Sequence, residues 1–198
     1  MIAQNSHGKD KQCLTELQQH QFARDGFLIV RGLESDAIRR GMLEVIESSL
    51  QPALGPLEYE VDVNYPGAPG SLQAPGGHTP RRLLNAYARD AVFRKWATSP
   101  ELVSRIIQLI GTENVMLTQN HHKCIMTKMP EYSTRTGWHQ DIRYWSFDRP
   151  ELVNAWLALG KEYDEKGGMQ FIPGSHKLDL DRGRFDAELF LREDLPEN

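Results

Sequence analysis

Through the first half of the chain, apolar residues recur mostly at helical spacing. Leu14, Leu17 and Phe22 share one side of residues 14–25, and Gly26 follows as a stop, which predicts a helix. Phe27-Leu-Ile-Val30 is an unbroken apolar run that predicts a short buried strand. Ser35 is a good N-cap, and Ile38, Met42, Val45, Ile46 and Leu50 follow it along one helical face. Periodicity then stops. From Pro52 to Pro80 the chain is rich in proline and glycine, including Pro66-Gly-Ala-Pro-Gly70 and Pro75-Gly-Gly77. A loop of this length is commonly a lid, a binding loop or partly disordered. Asp90 to Ala97 predicts a short helix. Ser99-Pro100 opens a longer one that closes at Gly111, with Leu102, Val103, Ile106, Ile107 and Ile110 as its apolar positions.

After Gly111 the pattern turns to strands. Val115 to Met129 is rich in β-compatible residues, and Trp138 to Trp145 forms a second such stretch. Val153, Ala155, Leu157 and Leu159 alternate with Asn154, Trp156 and Ala158, and Met169 to Ile172 follows the Gly167-Gly168 turn. Helices first and strands later predict an α+β fold with a mainly β core behind N-terminal helices. The expected organisation is one domain over residues 1–198. Residues 1–13 form a flexible N-terminus, 14–111 a helical front carrying the 52–80 loop, 112–178 the β portion, and 179–198 a charged tail whose charges are expected to be solvated.

Composition narrows the classes. A chain of 198 residues is long enough for one domain with a real core. The net charge of −4 gives no reason to expect nucleic acid as a partner, and no apolar run is long enough to cross a membrane. Met1 to Asp10 lacks the apolar stretch of a signal peptide. Cys13 and Cys124 lie far apart and form neither a disulfide framework nor a CxxC clamp, so a reduced, cytoplasmic location is expected. Oligomeric state is not readable.

The chemistry centres on His139-Gln140-Asp141. Residues i and i+2 of a strand point to one face, so an imidazole and a carboxylate can converge on one metal ion. Mixed nitrogen and oxygen ligation with open positions suits the two-His, one-carboxylate facial triad of non-haem Fe(II) oxygenases. The second histidine is harder to place. His176 sits in a Pro-Gly turn, and of the adjacent His121 and His122 at most one can face a given site. On the residues alone, His-x-Asp also fits a hydrogen-bonded surface pair. Trp138, Tyr144 and Trp145 fit core packing or a substrate cavity, and Arg81-Arg82 reads as a solvated pair.

Three ordered motifs extend this signal: Trp138-His-Gln-Asp141, Asn154-Ala-Trp-Leu-Ala-Leu159 and Gly167-Gly-Met-Gln-Phe-Ile-Pro-Gly-Ser-His-Lys177. With Phe22-Ala-Arg-Asp-Gly-Phe-Leu-Ile-Val30 before them, the chain resembles the phytanoyl-CoA dioxygenase family of Fe(II)/2-oxoglutarate-dependent oxygenases over residues 14 to 178. The resemblance implies a double-stranded β-helix, a cupin-like jelly roll. It implies Fe(II), with 2-oxoglutarate and O2 as co-substrates, and hydroxylation of a small organic substrate. His139 and Asp141 match the family's proximal metal ligands. Trp156 matches a tryptophan of the 2-oxoglutarate pocket, Cys124 falls at another pocket position, and Arg82 aligns with a basic residue that contacts the co-substrate. His122 and Lys128 share strand parity with Cys124 and are expected to face the same cavity. Halogenating relatives carry a small residue in place of the carboxylate, so Asp141 favours hydroxylation.

One departure bears on activity. The family's second iron histidine, and the arginine that anchors the far carboxylate of 2-oxoglutarate, lie beyond the Pro-Gly-Ser-His segment. Residues 178–198 contain no histidine. The expectation is a fragment of a longer protein whose last barrel strands are missing, with weak iron binding and little turnover on its own. Two other classes stay open: a non-catalytic binding or interaction module of the same fold, and a cupin-like metal enzyme such as an isomerase.

Overall fold

A hydroxyl or carboxylate caps each of the four main helices of this computed structural model, which describes residues 13–118 and 123–193. Helix α1 (Glu16–Asp25) starts at Thr15, whose side chain accepts from Gln18 N while the Gln18 side chain returns a bond to Thr15 N. It ends at Gly26, whose φ of 84° is left-handed. Helix α2 (Asp36–Leu50) is capped by Ser35. After the short α3 (Ala86–Arg89), α4 (Ala91–Ala97) is capped by the Asp90 carboxylate and α5 (Pro100–Ile110) by Ser99. Ser99 Oγ accepts from Leu102 N at 3.3 Å. Ser99→Ala removes that acceptor and is expected to lower unfolding free energy by about 1 kcal/mol, read from the urea midpoint at constant slope.

The sheet is small. Strands β1 (Leu57–Tyr59), β2 (Pro80–Leu83) and β3 (Ile125–Met126) pair antiparallel in the order β1-β2-β3. Leu57 lies opposite Leu83, and Leu83 opposite Ile125, so these apolar residues share one face. That face meets α2 and α4: Met42, Ile46, Leu83, Phe93 and Ile125 form the buried cluster, with Leu157 and Leu159 packed against it. The architecture is therefore helices around a three-stranded antiparallel sheet, an α+β arrangement. No helix among the described residues is long and apolar enough to cross a membrane.

Four predicted strands take other forms. Phe27–Val30 joins no ladder among the described residues; Phe27 instead stacks on Phe171 with ring centroids 4.7 Å apart. Trp138–Trp145 turns into a 3₁₀ helix at Asp141–Tyr144, because side chains within it bond to a distant segment described below. Residues 153–159 and 169–172 form no regular element and have no ladder partners among the described residues. Of Val115–Met129, only Ile125–Met126 is in the sheet, and 119–122 lie outside the described residues.

The Arg81-Arg82 pair is not solvated. Arg81 is 2% exposed and bonds Glu58 at 2.6 Å. Its Nε lies 3.7 Å from Glu60, which is fully buried and accepts from Thr134 Oγ1 at 2.7 Å. Glu58 and Glu60 come from the proline-rich loop, which is thereby tied to the sheet rather than free. The tail is not a purely solvated stretch either. Phe185 and Phe190 are buried, and an isolated bridge joins Phe185 to Leu191.

Candidate metal centre

His139 and Asp141 approach each other at one edge of the molecule. The backbone is extended at Gln140 and becomes helical at Asp141. This brings His139 Nε2 to within 3.3 Å of Asp141 Oδ1, with the side chains 30% and 48% exposed. Two ligands of one metal ion, each bonded at about 2.0–2.2 Å, stand roughly this far apart. The remaining atoms of both groups are occupied. His139 Nδ1 lies 2.8 Å from Gly137 O and donates to it, which leaves Nε2 facing Asp141, to which it donates when protonated. Asp141 Oδ2 accepts from Asn154 Nδ2. Metal-binding imidazoles and carboxylates are held by outer bonds of this kind.

An aromatic enclosure fixes the imidazole. Its ring meets Tyr144 edge-on at 5.6 Å and Phe190 at 5.9 Å, and Tyr65 of the proline-rich loop meets Phe190 at 4.7 Å. Phe190 also lies over Gly137, where a Cβ would come within 2.9 Å of its ring. A glycine is therefore required two residues before the histidine for the enclosure to close. The Asp141 carboxylate raises the His139 pKa, against the opposing effects of burial and of Arg82. Burial, with Tyr65 and Asp186 nearby, pushes the Tyr144 hydroxyl upward, so it stays protonated and donates to Glu188 O at 2.6 Å.

The other candidates take different places. Arg82 lies across the sheet from Glu58, at 3.3 Å, and its charge reaches both His139 and Cys124. Cys124, Arg82, His139 and Asp141 thus occupy one neighbourhood. Burial pushes the Cys124 thiol up, and the arginines only partly offset this. With iodoacetamide at pH 8, exposed Cys13 is expected to be alkylated about 10-fold faster than Cys124, a difference that vanishes in urea, read by peptide mass spectrometry. Trp156 is 51% exposed and its indole N–H donates to Glu162 at 3.0 Å. Lys128 donates its ammonium to Thr134 O at 2.9 Å, and burial lowers its pKa. His176 packs on Gly26, where a Cβ would come within 2.3 Å of its Nδ1, and the preceding Gly174 N bonds Asp25 O. His121 and His122 lie outside the described residues. Among the described residues, no group of three His, Cys, Asp or Glu side chains is arranged to hold a metal.

Sequence reasoning quoted Asn154 within a motif but gave it no role. The available signal was its parity: it alternates with the apolar residues of 153–159 and so falls on the face away from the core.

The comparisons with known proteins fit this geometry. The phytanoyl-CoA dioxygenase (PhyH) family model matches residues 22–197. The chain is 25% identical to the ectoine dioxygenase of Streptomyces coelicolor over 162 residues, covering 79% of this chain and 49% of that protein. It is 26% identical to the human peroxisomal phytanoyl-CoA dioxygenase over 177 residues, covering 86% and 50%. It is 24% identical to the zebrafish (Danio rerio) phytanoyl-CoA dioxygenase domain-containing protein 1 over 202 residues, covering 85% and 68%. The chain spans about half the length of the first two. No solved structure gives a significant match. The matched span includes the His-Gln-Asp segment, its outer partners and the Pro-Gly-Ser-His turn, and the chain belongs to the phytanoyl-CoA dioxygenase family.

Proposed function

We propose that the protein is a non-haem Fe(II)- and 2-oxoglutarate-dependent dioxygenase on a jelly-roll frame, hydroxylating an unactivated C–H bond of a small organic substrate. The observation that carries this is the convergence of His139 Nε2 and Asp141 Oδ1 at 3.3 Å, with the other atom of each group already bonded. Bound Fe(II) would supply the activation of O2 that couples 2-oxoglutarate decarboxylation to hydroxylation. The chain's own residues set up the site. His139 keeps its proton on Nδ1, held by Gly137 O, and offers Nε2 as a neutral ligand; any proton on Nε2 leaves when metal enters. Asp141 offers Oδ1 while Asn154 holds Oδ2 in place.

Arg82 is the proposed contact for a carboxylate of 2-oxoglutarate, since a guanidinium pairs with carboxylates in a two-pronged geometry. Its ion pair with Glu58 presets its direction. Cys124 and Trp156 are proposed to line the same pocket. The relatives named for ectoine and for phytanoyl-CoA support a small organic substrate as the class. Two unpaired cysteines support a cytoplasmic setting.

A facial triad needs one more histidine than the described residues bring together. That count favours a second reading for this chain taken alone, a non-catalytic binding module of the same fold. The test is the native gene product, purified and weighed, then assayed for succinate formed from 2-oxoglutarate with Fe(II), O2 and ascorbate. A mass above 22.6 kDa with iron-dependent succinate supports the oxygenase. A product of 22.6 kDa that forms no succinate establishes the module instead.

A further inference from the structure

Gln140 stands between the two proposed ligands, and its side chain is fully used. Its Nε2 donates to Ser175 O at 3.3 Å and to Leu178 O at 3.2 Å, and its Oε1 accepts from Arg143 Nε at 2.9 Å. Arg143 continues the connection. Its Nη2 donates to Leu180 O at 2.5 Å, and its guanidinium lies 4.0 Å over the Phe185 ring. On either side, Leu191 N donates to Trp138 O at 2.7 Å and Tyr144 OH to Glu188 O at 2.6 Å. The segment 175–191 thus grips residues 138–144 at both ends and in the middle. It does so through four backbone carbonyls and one backbone N–H, and Phe185 and Phe190 within it are buried.

We propose that Gln140 and Arg143 are positioning residues, and that segment 175–191 acts through them as a strap holding His139 and Asp141 in ligating geometry. This rests on the reading of His139 and Asp141 as metal ligands. The physical reason is local. Asp141 opens a 3₁₀ turn only four residues long, and turns this short do not hold themselves. The Gln140–Arg143 bridge spans that turn and bonds its far side to the strap. Without it, His139 and Asp141 are free to separate and a metal must restore their alignment from its own binding energy.

The experiment uses the full chain, with two readouts. Amide exchange without metal measures protection in residues 138–144 against helices α2 and α5. Titration with Co(II), followed by its visible absorption, measures ligation. Arg143→Ala is expected to lose protection in 138–144 while α2 and α5 keep theirs, and to bind Co(II) about 10–100-fold more weakly. Arg143→Lys, which still reaches Leu180 O, is expected to recover part of both. Unchanged protection in Arg143→Ala overturns the strap. So does protection lost equally in the helices, which marks a general structural role, and so does unchanged Co(II) affinity beside a loosened 138–144 segment. His139→Ala separates the underlying reading: if it binds Co(II) as the unaltered chain does, the metal site itself is wrong and the positioning role falls with it.

Discussion

His139→Ala is expected to reduce iron-dependent succinate formation by the native gene product at least about 100-fold, and Asp141→Ala to do the same. Losing an outer partner of a metal ligand already costs about 10–100-fold in affinity or activity, and a ligand contributes more than its partner. Neither residue has a substitute nearby, since the described residues gather no third donor at this edge. Asn154→Ala calibrates the scale. It leaves both ligands in place and frees only Asp141 Oδ2, so its effect should fall within the 10–100-fold range and below that of either ligand. Asp141→Asn is a sharper case than alanine. It keeps the size of the group but removes its charge, and its amide would face the Asn154 amide donor-to-donor unless it flips. Each variant is measured by succinate formed per minute and by bound iron after desalting. A His139→Ala enzyme with wild-type turnover would place the metal elsewhere and remove the basis of the oxygenase reading.

The helices were legible because their causes are local. Ser35, Ser99 and Gly111 act on backbone groups within four residues, and each capping or stop signal landed on its helix. Strands were over-predicted because a ladder needs a partner that lies far away in sequence. Trp138–Trp145 has a strand's composition, yet Gln140 and Arg143 spend their side chains on carbonyls of 175–180, and the segment curls. The closeness of His139 and Asp141 was readable from spacing, but the reason given for it was only half right. A helical turn that begins at Asp141, not a second strand residue, aims the carboxylate. The tail misled through its charges. Asp179, Asp181, Arg182, Arg184 and Asp186 mask the two phenylalanines that dock it. Arg81 misled in the same way. A charged pair after a loop is usually solvated, and only the spacing of Glu58 and Glu60 in the preceding loop could have signalled its partners.

Those partners make Arg81 a sensitive charge in the fold. Arg81→Ala is expected to lower unfolding free energy by about 3–5 kcal/mol, the cost of breaking a buried ion pair from one side. The size follows from what is left behind. Glu60 is fully buried, its Oε2 keeps only the Thr134 hydroxyl, and its Oε1 has no hydrogen-bond partner among the described residues. Lys128 contributes charge from nearby, but its ammonium is bonded to Thr134 O. Arg81 also lies 4.7 Å over the Tyr65 ring, so its loss loosens the loop that carries Tyr65 to the His139 enclosure. The damage should therefore appear twice, as a lower urea midpoint and as weaker metal binding. A second substitution isolates the electrostatic part. Glu60→Gln retains an acceptor for Thr134 and removes the stranded charge, so Arg81→Ala/Glu60→Gln should be more stable than Arg81→Ala alone, although it carries one more change. Sub-additive loss of this kind is the signature of two groups that depend on each other. If the double variant is instead the sum of the singles, Arg81 is held by packing against Tyr65 and by the exchangeable surface partner Glu58. The buried carboxylate would then have to be accommodated without it.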